Sequence, residues 1–289
     1  MSRTSIIAAA LGAAALIPAA ATAKPMISPI GSAPVTYAAR AGAQQLPADV
    51  TMPAMRNTRN AQQSQNWGGY IDSIRNPRNA FQSVGSTFRV PTVNVLTTTD
   101  GPGGNMAAQW VGLDGTTANS PTVEQTGVSE WLDSNFGIPH YEAWWEMFPI
   151  APVTIGDVAA GDLIRANVHA YGPSVPAGFV LTLTDQTQHW SNVSAFRFTN
   201  VTPPRNSSEV ITEVPSSSGG AMDLTDYGNV RYSNSGTSTN STPHSLASNS
   251  AYTAHKVILV DSVGDTMAAV SNLNHGSAFS TPFVSNGNN

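Results

Sequence analysis

Hydrophobic and polar residues alternate over several short stretches of this chain, as they do in β-strands that bury one face. Residues 164–170 alternate Ile, Ala, Val and Ala with Arg, Asn and His, and residues 179–184 and 196–198 alternate in the same way. Further runs are rich in Val, Ile, Thr and aromatic residues: 81–90, 109–113, 141–148 and 256–260. We predict a strand in each of these stretches.

Gly, Pro, Asn and Ser separate the strands, and no long amphipathic helical pattern follows residue 23. Many short strands with frequent turn signals are typical of one all-β domain, an antiparallel β-sandwich or jelly roll. The Ser-, Thr-, Asn- and Gly-rich stretch 233–250 is interpreted as a long loop or flap.

Residues 1–23 have the three parts of a secretory signal peptide. A short basic start ends at Arg3, an apolar run covers 6–17, and Ala21-Thr22-Ala23 is a small-residue cleavage site. The apolar run is too short to cross a bilayer, and no later stretch is long enough. We therefore expect a protein that is cut after Ala23 and secreted, to the periplasm or the medium, with no membrane association.

Residues 24–61 are rich in Pro, Ala and Gln and show no sustained strand or helix period. Residues 1–60 carry five basic residues and one acidic residue, whereas the rest of the chain carries eight basic and seventeen acidic residues. A basic segment ahead of an acidic body suits a pro-segment that covers an acidic cleft. A disordered tether is the alternative, and the catalytic or binding domain is assigned to 62–289.

Composition excludes some classes of function. The chain has no cysteine, so its stability must come from a sizeable core rather than from disulfides. The body has one lysine and little charge, unlike the basic stripe of a nucleic-acid-binding protein. A mild acidic excess suits work at low pH, where carboxylates become neutral. We expect a monomer without a nucleic-acid partner.

The common catalytic motifs are absent. The six histidines lack metal-ligand spacing, and H-E-x-x-H, G-x-S-x-G, a P-loop and a cysteine nucleophile are all missing. We therefore expect neither a metal nor a cofactor.

The residues that remain for chemistry are carboxylates and an amide beside aromatic rings. Gln125 follows a glycine-punctuated turn and is expected on a strand, where its amide either points into a cleft or satisfies backbone groups. Glu146 lies among aromatic residues that should raise the pKa of its carboxyl group, as a functional acid or a buried structural one. Glu209 and Glu213 are four residues apart, so on one strand they share a face at about 13 Å.

Six motifs in a fixed order resemble the glutamic peptidases, the eqolisins, over roughly 65–283. They are Asn66-Trp67-Gly68-Gly69-Tyr70, Trp110-Val111-Gly112-Leu113-Asp114-Gly115, Gln125-Thr126-Gly127, Trp144-Trp145-Glu146 with Phe148-Pro149, Ala160-Gly161-Asp162, and Glu209 through Pro215. Val210 and Met147 depart from the family pattern, in which aromatic residues are usual, and the Val210 change is expected to alter one wall of the cleft.

The resemblance implies a lectin-like β-sandwich with a substrate cleft on its concave sheet, and a catalytic dyad of Gln125 and Glu213. Glu213 would act as the general base that activates water, and Gln125 would stabilise the oxyanion. Trp67, Trp110, Asp114 and Glu146 would bind substrate or support the dyad. The expected activity is that of a secreted acid endopeptidase, made as a precursor, that acts on polypeptides.

Two other functions stay open on the residues alone. A lectin-like sandwich with exposed tryptophans could bind carbohydrate without catalysis, and it would not need both Gln125 and Glu213. A glycosidase could use Glu146 and Glu213 if their carboxyl groups lay roughly 5–9.5 Å apart.

Overall fold

The computed structural model describes residues 25–30, 55–57, 61–76, 78–116, 122–172, 175, 177–217 and 220–287. The signal peptide assigned to 1–23 lies outside these ranges, as does most of the segment 24–61. Within the ranges, no helix has the length and apolar character to cross a membrane.

The described chain is built from β-strands. In chain order they are β1 (Ile27–Pro29), β2 (Arg56–Asn57), β3 (Gln62–Ser64), β4 (Trp67–Ile74), β5 (Phe81–Arg89), β6 (Asn105–Leu113), β7 (Val123–Asp133), β8 (Ile138–Phe148), β9 (Val153–Asp157), β10 (Leu163–Ala170), β11 (Gly178–Asp185), β12 (Trp190–Phe198), β13 (Ser207–Glu213), β14 (Ser216–Ser217), β15 (Gly220–Ala221), β16 (Asp223–Leu224), β17 (Asn229–Thr239), β18 (Thr242–Ser245), β19 (Tyr252–Val260), β20 (Thr266–Ala268) and β21 (Phe279–Pro282).

Two large sheets form the molecule. The eight-stranded sheet has the order β1-β12-β11-β10-β5-β17-β18, with β21 paired to β17. The eleven-stranded sheet has the order β2-β3-β19-β4-β13-β6-β7-β8-β9, with β16 paired to β6 and β20 to β19. Most pairs are antiparallel, so the prediction of an antiparallel β-sandwich is confirmed.

The main core lies between the two sheets. Trp145 of β8 packs on Phe196 of β12 with ring centroids 4.5 Å apart, and Tyr70 of β4 packs on Phe279 of β21 at 4.9 Å. All four rings belong to one buried cluster, which also contains the inward residues of β10 and β11. Burial of this aromatic and aliphatic surface is the main stabilising contribution in a chain without disulfides.

The eleven-stranded sheet buries side chains on its other face as well. Val111 and Val210 belong to the inter-sheet cluster, whereas their neighbours Trp110 and Ile211 belong to a second apolar cluster. Because successive residues of a strand point to opposite faces, the second cluster lies on the face that turns away from the core. We call this face, marked by Trp67, Trp110 and Trp144, the outer face of the eleven-stranded sheet.

The strands predicted from alternation and from hydrophobic runs are all present, as β5, β6, β8, β10, β11, β12 and β19. The loop predicted for 233–250 is wrong over much of its length, because β17 and β18 occupy 229–239 and 242–245. Here hydroxyl groups pair across strands where hydrophobic residues usually do: Ser86 and Ser235 lie 2.8 Å apart, and Ser83 and Ser238 lie 2.7 Å apart.

The segment 24–61, interpreted as a pro-segment or tether, contributes two short strands. Strand β1 pairs with β12 at one edge of the eight-stranded sheet, and β2 pairs with β3 at one edge of the eleven-stranded sheet. Three-residue and two-residue strands are too short for a period of two to be recognised in the sequence.

Candidate active site

Strand pairing brings the sequence motifs together on the outer face of the eleven-stranded sheet. Gln125 of β7 pairs with Gly112 of β6 on one side and with Glu146 of β8 on the other. Glu209 of β13 pairs with Gly112 and completes this row. Glu213 lies four residues further along β13, between Ala108 and Trp67. Glu209 and Glu213 therefore share a face of β13, as their spacing predicts.

Two glycines allow Trp110 and the backbone of β6 to lie close to the neighbouring strand and side chains. A Cβ atom at Gly127 would lie 2.2 Å from the carbonyl oxygen of Gln109 and 2.6 Å from Cβ of Trp110. A Cβ atom at Gly112 would lie 2.8 Å from Cζ3 of Trp110 and 3.2 Å from Cβ of Gln125. The glycine of the W-V-G motif is therefore needed because the indole ring occupies the space above it, and that of the Q-T-G motif because the backbone of β6 approaches it closely.

Trp110 also binds the proposed base. Its Nε1 donates a hydrogen bond of 2.6 Å to Oε2 of Glu213, whose side chain is only 5% exposed. Trp67 packs edge-on against Trp110, with ring centroids 5.0 Å apart and an interplanar angle of 79°. The two indoles thus fix the position of the Glu213 carboxyl group from one side.

Burial dominates the electrostatics of Glu213 and raises its pKa to about 7, while the indole N–H groups of Trp110 and Trp67 act in the opposite direction. Trp67 Nε1 forms no hydrogen bond of good geometry within the described part of the chain, so its influence on Glu213 is that of a nearby dipole. Trp110 is the principal partner.

Gln125 and Glu146 form the second half of the site. Nε2 of Gln125 donates a hydrogen bond of 2.5 Å to Oε2 of Glu146, and each side chain is 4% exposed. Burial, and next the charge of Glu213, raise the pKa of Glu146 to about 8, whereas the hydrogen bond from Gln125 lowers it. Since the charge of Glu213 acts on Glu146, the two halves of the site are electrostatically connected.

Asp114 lies at the end of β6 and serves a different purpose from the other predicted site residues. Its carboxylate accepts hydrogen bonds from the backbone N–H groups of Arg205, at 3.0 Å, and Asn206, at 2.9 Å. These residues immediately precede β13, which carries Glu213. Burial raises the pKa of Asp114 to about 7, against the lowering effect of these two N–H groups. Asp114 therefore anchors the start of β13.

The expected effect of the family departures on the cleft is wrong for Val210. Val210 and Met147 are fully buried in the inter-sheet core, on the face opposite to Glu213 and Glu146. A valine or methionine there changes how the two sheets pack rather than the wall of a cleft. The alternation of faces along β13 was the signal that could have shown this, because Val210 lies an odd number of residues from Glu213.

Trp144 is a site residue that the sequence analysis did not single out. It belongs to the same apolar cluster as Trp67 and Trp110, and its Nε1 donates a hydrogen bond of 2.8 Å to Oγ of Ser129. Its position two residues before Glu146 on one strand places both side chains on the outer face.

Three further carboxyl groups are buried in the strands of the same sheet. Asp72, Glu124 and Glu209 are fully buried, and their carboxylate oxygens have no hydrogen-bond partner among the described residues. Burial raises the pKa of each of them well above its ordinary value. No group of three or more histidine and acidic side chains within the described ranges has the arrangement to hold a metal ion.

Comparison with known proteins agrees with this architecture. A model of the Peptidase A4 family matches residues 65–278. The structure of scytalido-glutamic peptidase with a peptide-based transition-state analog is similar, with a TM-score of 0.61 and 21% identity, and the match covers 76% of this chain and 98% of that chain. Among curated proteins, none matches the chain.

Two further structures share the fold. SCP-B, a member of the eqolisin family solved with the tripeptide Ala-Ile-His, has a TM-score of 0.58 at 21% identity, covering 76% of this chain and 98% of its own. Aspergilloglutamic peptidase from Aspergillus niger has a TM-score of 0.53 at 21% identity, covering 62% and 99%.

The matched family model spans well over half of the sequence and contains the site residues from Trp67 to Glu213. The fold is that of the glutamic peptidases. The chain belongs to the Peptidase A4 family, the eqolisins, and is a glutamic endopeptidase.

Proposed function

We propose that Glu213 and Gln125 are the catalytic pair of this peptidase. Glu213 takes a proton from a water molecule as the water oxygen attacks the scissile carbonyl carbon. Gln125 donates a hydrogen bond to the oxyanion that forms. Glu213 then returns the proton to the amide nitrogen, the C–N bond breaks, and the amine leaves. The observation that carries the proposal is that both side chains lie on one buried face, each oriented by a hydrogen bond to another side chain.

Gln125 suits an oxyanion donor because its amide carries two N–H bonds. One is directed to Glu146, which leaves the other for the substrate. An oriented donor of this kind contributes roughly 10²–10³ in rate. Glu146 would be a positioning residue, since it acts by holding the amide of Gln125.

The state of protonation follows from the burial of the pair. With its pKa raised to about 8, Glu146 is neutral in acid and accepts the hydrogen bond through its carbonyl oxygen. Glu213 also carries a proton in acid as long as burial holds its pKa at about 7. It becomes a base at low pH when water reaches the carboxyl group, because hydration removes the main cause of the raised pKa.

We infer that the segment 24–61 is a pro-segment that covers the site. Met55 is the described residue that supports this, because it packs against the apolar cluster that contains Trp67, Trp110 and Trp144. Arg56 and Asn57 pair with β3 and tie the segment to the sheet next to Met55. Removal of the segment would hydrate the cluster and Glu213. Activation would therefore also lower the pKa of Glu213, as described above.

We further propose that residues 1–23 direct secretion and that the mature enzyme acts as a monomer on polypeptides in an acidic extracellular or periplasmic environment. The basic segment ahead of an acidic body and the small number of lysines support this setting.

The test is degradation of a denatured protein substrate over a range of acid to neutral pH by the wild type after removal of the pro-segment, and by Glu213→Gln and Gln125→Ala. We expect cleavage in acid by the wild type and its loss in both variants. A variant that keeps wild-type activity would remove that residue from the proposed pair.

A further inference from the structure

A long polar groove lies on the side of the sandwich away from Gln125. It follows β5, β10 and the hairpin of β17 and β18 and has a volume of about 800 Å³. A second cavity of about 470 Å³ shares Gln82 and Ser241 with it, so the two are adjacent. We call the two cavities together the polar groove. The exposed side chains of β10, Arg165 and His169, alternate with core residues, so the groove is on the face turned away from the core.

Two glycines create the floor of the polar groove. Gly85 of β5 pairs with Gly236 of β17 on one side and with Asn167 of β10 on the other. A Cβ atom at Gly85 would lie 2.9 Å from Nδ2 of Asn167, and one at Gly236 would lie 2.7 Å from the carbonyl oxygen of His244. The depression therefore lies where Gly85 and Gly236 pair, because neither residue has a side chain to fill the space.

A bulge in β17 shapes one wall. The register between β17 and β5 shifts between Ser233 and Gly236, and Asn234 within the shift has a φ of 50° and an exposed side chain. Bulges redirect side chains and are common beside binding sites. Here the bulge places the carboxamide of Asn234 on the rim of the groove.

The charge of the polar groove is opposite to that of the protein. The body of the chain has more than twice as many acidic as basic residues, yet neither Asp nor Glu is present among the described residues that line the groove. The ionisable groups that line it are Arg165, His169 and His244 in the larger part and Arg205 and Tyr171 in the smaller part. Arg165 and Arg205 thus give the lining a positive charge that no carboxylate of the lining balances, so it attracts an anion.

The rest of the lining indicates what kind of anion fits. Eleven of the nineteen residues around the larger part carry a hydroxyl or a carboxamide group. Ser86, Thr237 and Ser238 are buried and hydrogen-bonded within the sheet. The exposed side chains of this kind are Gln186, Asn234 and Ser241. Such groups form hydrogen bonds with sugar hydroxyls, whereas a peptide anchors through large apolar side chains in apolar pockets. Large exposed aliphatic side chains are not part of the lining within the described ranges.

We propose that the polar groove binds an acidic polysaccharide, with Arg165 pairing to a carboxylate of the sugar chain and the hydroxyl and amide side chains holding neighbouring sugar rings. Because the groove and the Gln125–Glu213 site are on opposite sides of the sandwich, a bound polysaccharide leaves the active site free. The groove would retain the secreted peptidase on an acidic extracellular matrix.

The test measures binding of the full chain carrying Glu213→Gln, which avoids self-digestion, to immobilised polygalacturonate at about pH 5, where ordinary carboxyl groups are ionised. We expect binding that weakens as salt is raised, and that Arg165→Glu reduces roughly tenfold or more. Arg231→Glu makes the same charge change on β17 outside the groove and should bind like the parent. With the catalytic Glu213 restored, Arg165→Glu should cleave a soluble peptide at the wild-type rate.

Three results would overturn the proposal: absence of binding to polygalacturonate, equal loss in Arg231→Glu and Arg165→Glu, or equally tight binding of polyglutamate, which would indicate a site for any polyanion. Neutral dextran should compete poorly. Because binding is measured without catalysis, its failure would be distinct from a failure of the proposed peptidase mechanism.

Discussion

Gln125 and Glu146 face each other across the antiparallel strands β7 and β8, and Nε2 of Gln125 donates a hydrogen bond of 2.5 Å to Oε2 of Glu146. This contact orients the amide, because a carboxamide without a fixed partner can rotate its N–H groups away from a substrate. Burial keeps the carboxyl group of Glu146 neutral in acid, with a pKa of about 8. The pair is therefore an acceptor and a donor with no net charge under the conditions proposed for catalysis.

Two substitutions of Glu146 distinguish the role of its hydrogen bond from the role of its ionisable proton. Glu146→Gln keeps a neutral acceptor of the same shape, so its kcat should stay close to that of the wild type. Glu146→Leu removes the acceptor and should lower kcat about tenfold, the effect of one hydrogen bond, with little change in KM. Steady-state kinetics on a peptide substrate would measure both. If the glutamine variant is as slow as the leucine variant, the proton of Glu146 takes part in the chemistry.

Trp110 should set the pH at which Glu213 becomes a base. Its indole N–H lowers the pKa of Glu213, so Trp110→Phe should raise that pKa and move the acid limb of the kcat/KM profile to higher pH. Trp144→Phe is the matched control, because the Trp144 indole binds Ser129 instead. A shift of equal size in both variants would mean that packing, and not the hydrogen bond, is responsible.

Met55 should hold the precursor inactive through its contact with the apolar cluster. Met55→Asp places a charge against Trp67 and its neighbours, which is unfavourable in a buried apolar site. The full-length variant should therefore hydrolyse a peptide substrate faster than the full-length wild type. Met26→Asp is the control, because Met26 lies in the same segment but is 57% exposed. Unchanged activity of the Met55 variant would argue against the covering role.

The buried carboxyl groups predict a protein that is more stable in acid than at neutral pH. Their pKa values are raised in the folded state, to about 7 for Glu213 and about 8 for Glu146 and well above the ordinary value for Glu209. Such groups bind protons more tightly when folded, so their contribution is complete below the unfolded pKa, near 4–5, and is lost as the pH rises through about 7–8.

The melting temperature should therefore fall between about pH 5 and pH 8. Glu209→Gln should make this fall shallower by removing one buried group that ionises, with a change of ~2–4 °C for each kcal/mol in a domain of this size. Asp265→Asn changes an exposed residue and should leave the curve unaltered. A melting temperature that rises toward neutral pH would contradict the interpretation.

The sequence was sufficient for most of the long strands and for the family to which the motifs belong. Alternation located β10 and β11 because one face of each is buried, and the order of the motifs pointed to Gln125 and Glu213. The same alternation explains where prediction failed at β17, since a strand rich in Ser and Thr buries hydroxyl pairs such as Ser86 and Ser235 rather than hydrophobic side chains.

The partners of the site residues depend on register, which a single sequence does not contain. The pairing of Gln125 with Glu146, and the anchoring of β13 by Asp114 through the backbone of Arg205, follow from long-range strand order. Glu209 is likewise fully buried because both faces of its strand, β13, are covered by other parts of the molecule.

The joint action of Gln125 and Glu213 is tested most directly by a double-mutant cycle on kcat/KM with Gln125→Ala, Glu213→Gln and the double variant, using the activated enzyme in acid. Residues that act on one transition state as a unit are strongly non-additive. We predict that each single variant loses nearly all activity and that the double variant is no worse than Glu213→Gln alone. Losses that add in full would contradict the account, because they would mean that Gln125 and Glu213 act independently.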